Sequence, residues 1–135
     1  MSNELSEKVY PDGTVVKLRD DTAREQLAIE KVPNSFITLQ SGIIIHTNQL
    51  YKQGNHIFGW ITFGFSAQTP TSLKLGVLNS GYQPSGVIRM VVGLGTEAWK
   101  SEYVGYCLKD TDHSLSITGY NSNIKGAHIH LDYVV

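Results

Sequence analysis

Cysteine is nearly absent: the 135 residues hold one thiol, Cys107, which cannot close an internal disulfide, so the core must hold without that staple. Charge is scarce as well. Only 17% of the residues are charged, against roughly 25% in an average soluble domain. Eleven basic against twelve acidic residues leave a formal net charge of −1, which removes the positive field that non-specific nucleic-acid binding requires. No apolar run approaches the ~18 residues of a membrane-spanning helix. The longest candidates, around Ile43-Ile44-Ile45 and from Val87 to Val92, are of strand length, so no membrane insertion is expected. Residues Met1 to Lys8 lack an apolar stretch behind a basic start, so no secretory signal is read and synthesis in a cytoplasm is expected. Catalytic motifs are missing too. There is no Gly-x-Ser-x-Gly elbow, and Gly93-Leu94-Gly95-Thr96 lacks the third glycine and the lysine of a phosphate-binding loop. No cofactor is implied.

What is there is neutral and polar. Twelve Ser, ten Thr and seven Asn take over the surface from charged groups, giving a skin of hydroxyls and amides. Val and Ile, eleven each, concentrate after Phe36 in short runs separated by Gly, Asn, Ser and Pro, the pattern of an all-β domain. Strands are expected at Phe36 to Leu39, Ile43 to Lys52, Asn55 to Phe65, Ser72 to Leu78, Gly86 to Leu94, Tyr103 to Leu108, Ser114 to Thr118 and Ala127 to Val135. Gly54-Asn55 supplies a tight hairpin between the second and third. About eight strands at this spacing predict a sandwich or jelly roll. A chain of this length buries roughly two thirds of its unfolded surface, enough for one true core.

Residues 1–34 read as a leader and 35–135 as the β domain. The leader carries a Pro11-Asp12-Gly13 turn, a short strand from Val15 to Leu18, and one helix from Asp20 to Val32. Thr22 with Glu25 makes a capping box, Asp20 and Asp21 sit at the positive end of the dipole, and Pro33 stops the helix. Such a helix has too few apolar residues to stand alone, so it must dock on the domain or on copies of itself.

Period two sorts each strand into faces. In the third strand Ile57, Ile61, Phe63 and Phe65 form a core face, while Phe58 and Trp60 lie on the other, where an open aromatic pair marks an interface, as with another subunit. In the last strand His128, His130 and Asp132 share one face and Ile129, Leu131 and Tyr133 the other. Two imidazoles ~7 Å apart along a strand with a carboxylate are candidate metal ligands, the alternative being a solvated strand face. Cys107, in Tyr106-Cys107-Leu108, reads as a buried structural thiol rather than a nucleophile. Seven of the twelve acids fall in the leader, leaving Glu97, Glu102, Asp110, Asp112 and Asp132. These are few for a glycosidase pair.

The remaining candidates are aromatics in or beside loops: Tyr82, Trp99, Tyr103, Tyr106 and Tyr120. Asp110, Asp112, His113, Asn121 and Asn123 are near them in sequence. Sugars stack a C–H face on an aromatic ring while amides and carboxylates take the hydroxyls, and this needs few formal charges. Trp99, in the polar stretch from Gly95 to Glu102, is the best single candidate, followed by Tyr103, Tyr82, Asp110, Asp112 and His113. Tyr82 and Tyr120 also suit a purely structural role, closing the ends of a sandwich.

Several stretches resemble one family. Tyr51-Lys52-Gln53-Gly54-Asn55 and Leu78-Asn79-Ser80-Gly81-Tyr82-Gln83-Pro84, with Ser116 to Ser122 near the end, are similar to segments of the C-terminal receptor-binding heads of tailed-bacteriophage tail-fibre and baseplate proteins. The leader stretch Asp12-Gly13-Thr14-Val15-Val16-Lys17-Leu18-Arg19-Asp20-Asp21-Thr22-Ala23-Arg24 also resembles their tail segments. The resemblance implies a jelly-roll head shaped like those of tumour necrosis factor and complement. It implies a homotrimer in the phage virion that binds bacterial cell-surface saccharide without catalysis and meets other phage tail proteins. Three leader helices would pack about the trimer axis, placing Leu27 with Phe58 and Trp60 at subunit contacts. The alternatives are a structural tail component binding virion proteins and a small glycan depolymerase, for which Glu97, Glu102, Asp110 and Asp112 would have to converge.

Overall fold

A computed structural model describes residues 7–9, 15–17, 28–68, 71–119 and 123–135. The chain is all-β. Two short strands, β1 (Glu7–Val9) and β2 (Val15–Lys17), pair antiparallel by themselves. The main sheet contains β3 (Ile29–Lys31), β4 (Ile37–Leu39), β5 (Ile44–Gln53), β6 (His56–Gln68), β7 (Leu73–Leu78), β8 (Ile88–Gly95), β9 (Tyr103–Lys109), β10 (Ser114–Thr118) and β11 (Ile124–Val134). Its order is β3-β5-β6-β11-β8-β9-β10-β7-β4, and every pairing is antiparallel. All eight strands expected after Phe36 are present. The β5–β6 hairpin turns at Gly54-Asn55, with Gln53 opposite His56. Gly54 takes the positive φ, 60°, as the first central residue of a tight hairpin turn does.

The sheet must curl. Its two edge strands, β3 and β4, are separated in sequence only by Val32 to Phe36, so their near ends lie within about 20 Å of each other. A flat nine-stranded sheet would hold its edges about 38 Å apart. Curling brings all the inward faces onto one core. Ile57, Ile61 and Phe63 of β6, Leu94 of β8, Ile117 of β10, and Ile129 of β11 are fully buried there, beside Leu131 and Tyr133. Burial of each such side chain contributes about 1.5–3 kcal/mol, so β6 and β11, paired over ten positions, form the backbone of the fold. The fold is a jelly-roll-like sandwich head.

One expectation fails here. The stretch that reads as the end of a helix, up to Val32, is instead strand β3, paired with β5 through Ile29 to Gln53, Glu30 to Lys52 and Lys31 to Tyr51. Asn48 explains the outcome. Its side-chain amide donates to the Val32 carbonyl at 2.9 Å and to Asn34 Oδ1 at 2.8 Å, while its Oδ1 accepts from Leu50 N–H and from Lys31 Nζ. This staple offers residues 31–34 long-range hydrogen bonds that a helix would forgo. Val32 is then sealed in the core, and Pro33 biases its predecessor to extended backbone in any case. The nine-stranded sheet thus begins before residue 35. The Pro11-Asp12-Gly13 turn, the helix positions 20–27 with Leu27, and Tyr120 and Asn121 lie outside the described residues.

Candidate functional site

The outer face of the sheet has a feature that no single strand reveals. Gly64 of β6, Gly126 of β11 and Gly95 of β8 stand opposite one another in register, making a row without side chains across three strands. The 96–102 loop lies on that row. A Cβ on Gly95 would fall 2.0 Å from the Lys100 carbonyl oxygen, one on Gly126 2.4 Å from Ala98 Cα, and one on Gly93 2.5 Å from Ser101 Oγ. Glycine is required at Gly95 and Gly126 because another backbone occupies the place of a side chain, and at Gly93 the Ser101 side chain does so. The loop is closed internally as well. Lys100 N–H donates to the Glu97 carbonyl at 3.1 Å and Glu102 N–H to the Leu94 carbonyl at 2.8 Å. The Glu102 carboxylate accepts from Thr96 N–H and Oγ1, and these bonds hold it below the usual carboxylate range.

This loop presents Trp99, 68% exposed, with Lys100 Nζ 5.0 Å from its ring centre. Two recesses open beside it. One, of about 170 Å³, is lined by His46, Thr47, Trp60, Thr62, Trp99 and His128. The other, of about 420 Å³, includes Ser101, Glu102, Tyr103, Val104, His128 and His130 in its lining. His128 lines both recesses. It stacks on Trp60 at 5.0 Å and 13°, and its Nε2 lies 3.1 Å from His130 Nε2. Partial burial first, and His130 second, lower its pKa below the usual histidine value.

The predicted ligand-binding residues are therefore divided. Trp99 and Tyr103 come together at one end of the sheet, where β8 finishes and β9 begins. Tyr82, Asp110, Asp112 and His113 lie at the opposite end, roughly 23 Å away along β8. There Tyr82 packs edge-on against Phe36 at 6.1 Å, and its carbonyl accepts from Tyr133 Oη at 2.8 Å. Asp112 caps the following turn, accepting from Ser114 N–H and Oγ, which lowers its pKa. His113, at φ 66°, passes its carbonyl to Leu78 N–H. Glu97 and Glu102 share the first end and Asp110 and Asp112 the second, so the four acids named for a depolymerase do not converge.

Phe58 and Trp60 lie on the outer face as expected, each half-buried by neighbours of its own chain: Tyr51 and His56 beside Phe58, His128 over Trp60. More open are Val91, Val104 and Tyr106, on adjoining strands with Val91 opposite Tyr106. Tyr106 is among the aromatics named from sequence for sugar stacking, whereas Val91 and Val104 were missed although alternation marks them, since apolar residues fill both faces of β8 and β9. Asp132 turns away from the histidine pair to His56 Nε2. Among the described residues, no group of three or more His, Cys, Asp or Glu side chains is placed to hold a metal ion. Cys107 is buried, and burial pushes its thiol up to about 12, as a structural cysteine behaves.

No family model matches the chain, and no curated protein matches it. Among solved structures, its fold is similar to that of the receptor binding protein (gp15) of Listeria phage PSA. The TM-score is 0.55 and the identity 11%, over 86% of this chain and 70% of that one.

Proposed function

We propose that this domain is the host-recognition head of a tailed-phage tail protein, a virion component that binds bacterial cell-surface saccharide without catalysis and works as a homotrimer. The fold likeness to a phage receptor-binding protein and the phage-like sequence segments support the class. The observation that carries the ligand is Trp99, an exposed indole beside a recess whose other walls are His46, Thr47, Trp60, Thr62 and His128. Aromatic faces with hydroxyl and imidazole groups at their margins match the alternation of C–H and O–H on a sugar ring. The separation of the acids and the unreactive setting of Cys107 favour binding over hydrolysis or acyl transfer.

The test is binding of the purified chain to a bacterial glycan array and to whole cells, with Trp99→Ala alongside. Trp99 is mostly exposed, so the variant should keep its circular dichroism spectrum and melting temperature. Its binding should fall about tenfold or more, the loss of one stacking contact of about 1.5 kcal/mol. Unchanged binding by Trp99→Ala, or loss only on changing Tyr82 or Asp110, would place the ligand elsewhere.

A further inference from the structure

The convergence of two imidazole nitrogens on the outer face goes beyond sugar recognition and does not depend on it. His128 and His130 alternate with the buried Ile129 and Leu131, so the strand pleat sends both rings outward, and their Nε2 atoms meet at 3.1 Å. Residues two apart on a strand would ordinarily stand about 7 Å apart; the two rings lean together, their centres 4.9 Å from each other. Trp60 backs His128 by stacking, and it stands opposite His130 in the β6–β11 register. The pair opens into the recess lined by Ser101, Glu102 and Tyr103.

We infer that His128 and His130 form a two-imidazole chelate for a borderline divalent transition-metal ion. Metal–nitrogen bonds of about 2.1 Å to two atoms 3.1 Å apart subtend about 95° at the ion, the angle between adjacent ligands of a square-planar or octahedral site. Without metal, one ring donates its Nε2–H to the other. With metal, that ring takes the tautomer protonated at Nδ1, so both lone pairs face the ion and no proton is lost. Imidazole selects copper, nickel and zinc over magnesium and calcium, which require oxygen. Asp132 is engaged by His56, and among the described residues no third protein ligand is gathered. Water therefore fills the remaining positions, and the ion is exchangeable rather than a structural zinc held by four side chains.

The experiment is calorimetric titration of the full chain, free of any histidine tag, with NiCl2 and separately with MgCl2. The expected result is saturable binding of one Ni2+ per chain and none of Mg2+. Either His128→Ala or His130→Gln should weaken Ni2+ binding at least tenfold. His130 is exposed, so its replacement does not threaten the fold. Cu2+ paramagnetic resonance should show coupling to two equivalent imidazole nitrogens, reduced to one in either variant. No saturable Ni2+ binding, or equal binding by the wild type and both variants, would overturn the site.

Discussion

Among the described residues, Lys109 is the most deeply buried charged residue. Its side chain is 1% exposed among Leu78, Ile88, Met90, Leu115 and Leu131, and its ammonium donates to the Pro84 carbonyl at 2.7 Å and to the Gly86 carbonyl. Burying a lysine is tolerated only when its donors find acceptors, and here the acceptors are carbonyls of the loop between β7 and β8. Lys109→Met should therefore lower stability by about 1.5–3 kcal/mol, the range for hydrogen bonds to a charged group, read as a shift in the urea midpoint at constant slope. Little of this was legible beforehand. Lys109 closes an alternating strand, and nothing local distinguishes a lysine that reaches inward to carbonyls from one that points to water.

At the scale of elements, the strands and their faces were legible, and the loop over them was not. Period two placed Ile57, Ile61 and Phe63 inward on β6 and His128 and His130 outward on β11, because a strand's alternation is a property of its own backbone. The glycine row depends on the register between β6, β11 and β8, which are distant in sequence. Gly93 and Gly95 read from sequence as a failed phosphate loop; in the fold they make room for Ser101 and Lys100. Gly95→Ala should thus lift the 96–102 loop and displace Trp99. We expect glycan or cell binding to fall as far as in Trp99→Ala, with a stability loss of about 1–3 kcal/mol from overpacking measured by thermal melting. Normal binding by Gly95→Ala would detach the loop's position from recognition. The end of the expected helix failed for a related reason. The capping box and acidic first turn are local preferences worth about 1 kcal/mol each. At its C-terminal end the stretch gains strand pairing, the Asn48 staple and the burial of Val32, all of which come from elsewhere in the chain.

For the whole molecule, the open apolar surface formed by Val91, Val104 and Tyr106 fits association of copies, since such patches on monomers are usually functional. Light scattering should give three times the 14.9 kDa of one chain, and Val91→Lys with Val104→Lys should reduce it to one without changing the far-ultraviolet spectrum; a wild-type monomer at micromolar concentration would count against the trimer. The scarcity of charge, the single thiol and the spacing of the β-branched runs determined by themselves an all-β domain without staples and with a neutral polar skin. They did so because composition and period two act within a few residues. Only the tertiary structure decided that Trp99 and Tyr103 share one end while Tyr82, Asp110 and Asp112 occupy the other. It alone joined the Trp60 of one strand to the His128 of another and brought the β3 and β4 edges together. Those arrangements follow from how nine strands curl to bury one core, a condition that the whole chain satisfies at once and no segment carries alone.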